Sequence, residues 1–280
     1  MREISVNEIV NSVKKLCIES NYYLSNDIKR ELEKAESEEK WPIAKDILEK
    51  IILNSNIANE NDIPICQDTG MACVFIEIGQ DVHIIGGSLE EAINEGVRKG
   101  YEEGFLRKSV VKDPINRVNT KDNTPAVIYY NIVQDNNIKI TVSPKGFGSE
   151  NMSQIKMLKP SDGLDGVKEF ILRVVKEAGA NSCPPMVIGV GIGGTFDKAA
   201  YLAKKALLRP ICIRNKDKFY KELEEELVYK INKLGIGPQG FGGKTTALGL
   251  NIETFPTHIA GLPVAVNINC HATRHKEIIL

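Results

Sequence analysis

PPMVIGVGIGGTFDKAAYLAKKALL, residues 184–208, decides the fold class. Met186 to Ile192 form an apolar run between prolines and glycines, the pattern of a buried strand. TFDKAAYLAKKALL then reads as a helix. A buried strand that passes through a glycine turn into a helix is a unit of α/β architecture. GIGG, residues 191–194, lies where a phosphate-binding turn would lie. GVGIGG, however, lacks a full G-x-G-x-x-G followed by an acid at the right distance, so it reads as a structural tight turn.

Working outward, Val167, Phe170, Ile171, Val174 and Val175 mark an amphipathic helix just upstream. KDKFYKELEEELVYKINKL downstream is a second, charged helix. TALGLNIE and LPVAVNIN are two short strands ending in CHATRH. Nearer the N-terminus, Val6, Val10, Val13 and Cys17 fall at helical spacing, as do Ile43, Ile47, Leu48, Ile51 and Ile52. The first 55 residues are therefore expected to be helical, with Cys17 on a core face. NDIPICQDTG breaks that pattern, and in ACVFIEIG the residues Val74, Ile76 and Ile78 alternate as in a strand. Ser88 with Glu91 forms a capping box that opens a helix to about residue 103. AVIYYNIV and IKITVS read as two strands joined by the turn-rich DNN, followed by the Gly/Ser loop PKGFGSENMS. The fold expected is α/β to α+β, with mixed sheets flanked by helices and two subdomains, residues 1–154 and 155–280. No internal repeat or low-complexity segment is visible.

Composition narrows the function. The 280 residues suffice for one large or two small domains. Thirty-six basic and 37 acidic residues nearly cancel, and no basic stripe with interleaved aromatics points to nucleic acid. MREISVNEIV has no apolar segment of a secretory signal, and no apolar run approaches a membrane span. The expectation is a soluble cytoplasmic protein. Its six cysteines contain no CxxC pair, and a disulfide framework is not expected in that setting.

GPQGFGGKTT, residues 237–246, resembles a P-loop but fails its test. Pro238 stands where the first glycine belongs, a charged helix precedes the loop, and a strand follows it instead of a helix. The stretch reads as a wall or hinge whose glycines admit close backbone approach, with Lys244 available for an anion or subunit contact.

Three cysteines sit at strand junctions: Cys66 in PICQDTG, Cys183 in NSCPP and Cys270 in INCHATRH. Cys17, Cys73 and Cys212 read as small core residues. For the junction set, packing and ligation both remain open from composition. Three thiolates are one short of a closed iron–sulfur site, and a cluster held by three leaves one iron able to act as a Lewis acid. Zinc completed by histidine is the rival chemistry. His271 and His275 offer a weak H-x-x-x-H pair for it, and His83 suggests nothing.

ICQDTG, KGFGSEN, NSCPP, GIGGTFDKAA, GPQGFGGKTTALG and PTHIAGLPVAVNINCHATR, in that order, resemble the α subunit of the iron–sulfur hydro-lyases. That family comprises class I fumarate hydratases and L-tartrate dehydratases, and the resemblance runs from about residue 10 to the end. It implies that Cys66, Cys183 and Cys270 hold a [4Fe–4S] cluster with one open iron, the two subdomains lying around it. It implies that Gln67 and Asp68 stand at the substrate, with Asp68 donating a proton to the leaving hydroxyl. Arg107 matches an arginine that binds a substrate carboxylate; apart from the resemblance, Arg117 is the second choice for an anion contact. Gly146 and Phe147 match a substrate-contacting loop, often KGGGS, in which Phe147 replaces a glycine. His258 matches a histidine facing the substrate. The implied activity is reversible hydration of a small dicarboxylate, fumarate/malate first and tartrate as the alternative. A zinc-binding Cys/His protein and a non-catalytic subunit are the readings from other classes. Because the sequence stops at Leu280, a separate β subunit is expected to supply the base and further substrate ligands, and the α chain to pair with itself.

Overall fold

The computed structural model describes residues 2–280. Along the chain lie β1 (Arg2–Ser5), α1 (Val6–Tyr22), α2 (Asn26–Glu38), α3 (Pro42–Asn61), β2 (Met71–Gly79), β3 (Val82–Ile85) and α4 (Leu89–Glu103). There follow β4 (Val127–Val133), β5 (Ile138–Lys145), α5 (Phe147–Glu150), β6 (Gln154–Leu158), α6 (Gly163–Ala178) and β7 (Met186–Gly193). The chain ends with α7 (Phe196–Ala206), α8 (Lys218–Asn232), β8 (Ala247–Phe255), β9 (Leu262–Asn269) and β10 (Lys276–Ile279). The mixed sheets flanked by helices are the α/β to α+β class expected from the sequence.

Two compact units interleave along the chain. The first comprises Met1–Ser25, Ser55–Phe147 and Arg274–Leu280; the second comprises Asn26–Asn54 and Gly148–Thr273. The single cut near residue 155 does not coincide with this grouping. Pairing explains the outliers: β10 adds antiparallel to β5, and the Ile211 N–H donates to Asp27 in α2 at 2.9 Å.

In the first unit the sheet order is β10-β5-β2-β4. β2 runs parallel to β4 and antiparallel to β5. AVIYYNIV and IKITVS, though joined through DNN, do not pair with each other, because β2 lies between them. The physical reason is burial. MACVFIEIG is apolar on both faces and gains most from the centre, whereas β4 leaves Tyr130 and Ile132 exposed at the edge. Val74, Ile76, Ile138, Ile140 and Val142 form one core with α1 and α4. Those helices approach closely through glycines. A Cβ on Gly96 would sit 2.6 Å from Val13 Cβ, and one on Gly100 would sit 2.7 Å from Cys17 Cβ. Ser88 caps α4 by accepting the Glu91 N–H at 3.4 Å.

The second unit repeats the arrangement with different residues. Its order is β6-β9-β7-β8, with β7 parallel to β8 and antiparallel to β9, and β6 antiparallel to β9. Ile188 and Val190 of β7 face α6 and α8. The alternate residues, Gly189 and Gly191, face α7, where added Cβ atoms would lie 2.1 Å from the carbonyl oxygens of Ala203 and Ala199. GVGIGG therefore does two jobs: its alternate glycines seat a helix on the strand, and Gly193 and Gly194, at φ 94° and 70°, make the turn.

Candidate active site

In each sheet, the start of the central strand lies opposite the end of its antiparallel neighbour. Met71 pairs with Lys145, and Val187 with Asn269. Each sheet therefore gathers two loops at one end, and the candidate residues fall on these loops. Cys66, Gln67 and Asp68 precede β2, and Gly146 and Phe147 follow β5. Cys183 precedes β7, and Cys270 follows β9.

In the first unit the loop before β2 is tightly fixed. Asp68 Oδ1 accepts the Gly70 N–H at 3.0 Å, and Oδ2 accepts the Phe147 N–H at 2.9 Å. The Asp68 N–H donates to Cys66 Sγ at 3.4 Å. Its carbonyl accepts from Nη2 of the buried Arg274 at 2.5 Å. Gly146 lies so close that a Cβ there would stand 3.2 Å from Asp68 Oδ2. Cys66 and Asp68 are half-buried, and Gln67 and Phe147 are exposed. The unit thus brings together Cys66, Gln67, Asp68, Gly146 and Phe147.

Arg107 joins this group through its backbone, since the Thr69 hydroxyl donates to the Arg107 carbonyl at 3.0 Å. Its guanidinium is exposed. Two residues that sequence reasoning missed organise the same region. Buried Asn123 accepts the Ser109 and Val110 N–H groups at 2.7 and 3.2 Å and donates to the Gly70 carbonyl at 3.1 Å. Buried Tyr101 reaches the carbonyls of Thr69 and Gly70 at 2.8 and 3.1 Å, and burial pushes its phenol well above the ordinary range. An asparagine in a polar loop and a tyrosine on a helix carry no local signal of such roles. Arg117 is exposed, in the left-handed region at φ 54°.

In the second unit Cys183 is exposed and left-handed, at φ 53° and ψ 63°, at the end of a 3-10 turn. Its carbonyl accepts the His271 N–H at 3.2 Å, which ties the Cys183 turn to the segment carrying half-buried Cys270. His271 Nδ1 lies 3.0 Å from the same carbonyl and 3.1 Å from Gln239 Nε2. One tautomer donates to the carbonyl; the other accepts from the amide. Gln239 also donates through its backbone and side chain to the Pro184 carbonyl at 2.8 and 2.9 Å. A Cβ on Gly240 would stand 2.4 Å from Ala180 Cβ. The glycine loop at 237–243 is thus a wall behind Cys183. His258 is exposed in the β8–β9 connection, with Nδ1 accepting the Ala260 N–H at 3.2 Å. His258 belongs to the second unit and Asp68 to the first.

Residues 10–279 match the family described as fumarate hydratase (fumerase). The chain belongs to the fumerase family. A Methanocaldococcus jannaschii protein with the provisional name L(+)-tartrate dehydratase subunit alpha is 47% identical over 274 residues, 95% of each chain. The L(+)-tartrate dehydratase subunit alpha of Escherichia coli strain K12 is 30% identical over 283 residues, covering 100% of this chain and 93% of that one. The same subunit of Shigella boydii serotype 4 gives the same figures. By family and relatives this fumerase chain is a hydro-lyase of the α-subunit type. The family includes iron–sulfur hydro-lyases, and the α naming of the relatives implies a β partner. Among the described residues no helix is long and apolar enough to cross a membrane.

The cysteines of this fumerase chain can be sorted by their chemistry. Cys17 is fully buried, and burial pushes its thiol up to about 12. Cys73 is buried in β2. Cys212, read from the sequence as a core residue, is instead exposed in the connection after α7. Cys66, Cys183 and Cys270 combine accessible sulfur with loop-to-strand positions, a soft donor set that fits iron. Among the described residues, no three of His, Cys, Asp and Glu converge on a single metal ion.

Proposed function

We propose that this chain is the α subunit of a [4Fe–4S] hydro-lyase that reversibly adds water to a small unsaturated dicarboxylate, fumarate/malate first. The observation that carries the reading is Asp68. Its carboxylate is oriented by two backbone N–H groups, two residues after Cys66, in a chain of the fumerase family. Tartrate is the second reading, favoured by the names of the relatives.

Cys66, Cys183 and Cys270 would hold the cluster. When bound, its open iron supplies a Lewis acid for the substrate's carboxylate and hydroxyl. The chain's own residues do the rest. Each oxygen of Asp68 keeps a lone pair beyond its N–H bond, so the carboxyl can take a proton from water in hydration and return it to the departing hydroxyl in dehydration. The Gly70 and Phe147 N–H groups hold that carboxyl at a fixed angle, which lowers the cost of reaching the reactive geometry. Arg107, with an exposed guanidinium, binds the remote carboxylate through paired N–H donors. The Gln67 amide and the Gly146–Phe147 backbone line the substrate, and His258 faces it. A β subunit supplies the base that removes the carbon-bound proton, where the developing charge beside a carboxylate needs neutralising. The α chain also pairs with itself. Six cysteines without a CxxC pair suit the reducing cytoplasm.

The test is anaerobic co-purification with the β chain, followed by assays with malate, fumarate and tartrate. Turnover of malate and fumarate at a kcat/KM above that for tartrate is expected. Preference for tartrate moves the substrate to the second reading. No turnover of any 2-hydroxy dicarboxylate overturns the function.

A further inference from the structure

The outward N–H and carbonyl groups of a sheet edge are a template for another strand, so edges are kept short, charged or covered. Three of the four edges of the two four-stranded sheets are protected in this way. β10 and β6 have four and five residues and carry charge in Lys276, Glu277 and Lys156. β8 is longer, but side chains cap its backbone. Asn232 accepts the Ala247 N–H at 2.9 Å and donates to the Ala247 carbonyl at 3.3 Å. Glu224 accepts the Ile252 N–H at 2.8 Å, and Arg209 and Asn215 donate to the Ile252 carbonyl at 3.1 and 2.8 Å.

β4 has none of these guards. VIYYNIV has seven residues without a charge, a proline or a bulge, and none of them is buried. Its one strand partner is β2. The Val133 carbonyl accepts the Gln80 N–H at 2.9 Å, so residues 127, 129, 131 and 133 turn their peptide groups toward β2. Ile128, Tyr130 and Ile132 therefore turn theirs outward. Among the described residues, none bonds to those outward groups. The side chains of the same three residues share one face, where Tyr130 is 48% and Ile132 69% exposed.

The geometry points to β4 as the seam through which two copies of this chain pair, antiparallel about a two-fold axis at Tyr130. The strand is its own complement there. Tyr130 meets the second copy's Tyr130, and Ile128 meets the second copy's Ile132. Outward residues then face outward residues, so each free N–H finds a carbonyl. Ile132 gains an apolar neighbour across the seam. A strand of another sequence that set a charge against Tyr130 or Ile132 would desolvate it with no counter-charge on this side. A second copy brings an uncharged strand of matching length. The contact is closed by its symmetry, and the guarded β10 at the far edge stops the sheet from growing further. The inference rests on the self-pairing of the α chain within the proposed function and uses neither the cluster nor the hydration chemistry.

Sedimentation of the full chain over a dilution series, alone and with its β partner, tests the seam. The native chain is expected to pair. Tyr130→Lys and Tyr130→Glu each set like charges face to face on the axis and should weaken pairing at least about tenfold. Their melting temperatures should stay near the native value, because the side chain is exposed. Tyr130→Lys chains mixed with Tyr130→Glu chains should pair again. Native affinity in both variants, or a mixture that stays unpaired, overturns the seam and leaves self-pairing standing. A native chain that never pairs, alone or with the β chain, overturns both. If the Tyr130 variants do not fold, Ile132→Lys decides: unchanged affinity again overturns the seam.

Discussion

At the scale of single residues, Asp68 and Cys17 show how the same backbone can place one acid for chemistry and bury another out of reach. Asp68 receives two N–H bonds yet stays half-buried and open to a ligand. Asp68→Asn keeps the shape and removes the proton carrier, so kcat should fall by about 10²–10⁴ while the cluster absorption is retained. Unchanged kcat would remove Asp68 from the mechanism. Cys17 behaves oppositely. Its thiol stays protonated in the folded chain to about pH 12, against an ordinary value of 9.0. Above pH 9 the unfolded chain loses that proton and the folded chain does not, so stability falls as pH rises through this window. The slope is about 1.4 kcal/mol per pH unit. Urea unfolding at pH 8 and pH 10 should show a smaller loss in Cys17→Ala than in the native chain; an equal loss would contradict the assignment.

At the scale of elements, what was legible followed hydrophobic period. The runs at 167–175 and 186–192 gave α6 and β7, and Ser88 gave the start of α4. What was not legible was partner choice. β4 and β5 adjoin in sequence and turn through DNN, but β2 separates them because its two apolar faces claim the centre of the sheet. The glycines of β7 were likewise read as a turn, when half of them serve contact with α7. Gly189→Ala should therefore cost about 1–3 kcal/mol through overpacking against the Ala203 carbonyl. Its urea midpoint is the check, and an unshifted midpoint would contradict this packing.

At the scale of the whole molecule, the two four-stranded sheets share one order and one set of strand senses, although no repeat is visible in the sequence. The repeat lies in hydrogen-bond pairing, which different apolar residues satisfy equally well. Cys66, Cys183 and Cys270 stood out in the sequence by their strand-junction positions, which by themselves left packing and ligation both open. Asn123, Tyr101 and Arg274 were not legible, because their roles depend on carbonyls distant in sequence. The account also requires a partner: the α chain alone should give no turnover, and adding the β chain should restore it, whereas full activity of the α chain alone would contradict the subunit assignment. The central claim is that Cys66, Cys183 and Cys270 hold the cluster of a hydro-lyase. Its most direct test is the brown iron–sulfur absorption of the anaerobic complex, compared between the native chain and Cys183→Ala, with assembly checked by gel filtration. The native complex should be brown and active, and the variant complex should assemble colourless and inactive. A variant that keeps both its colour and full activity would contradict the account.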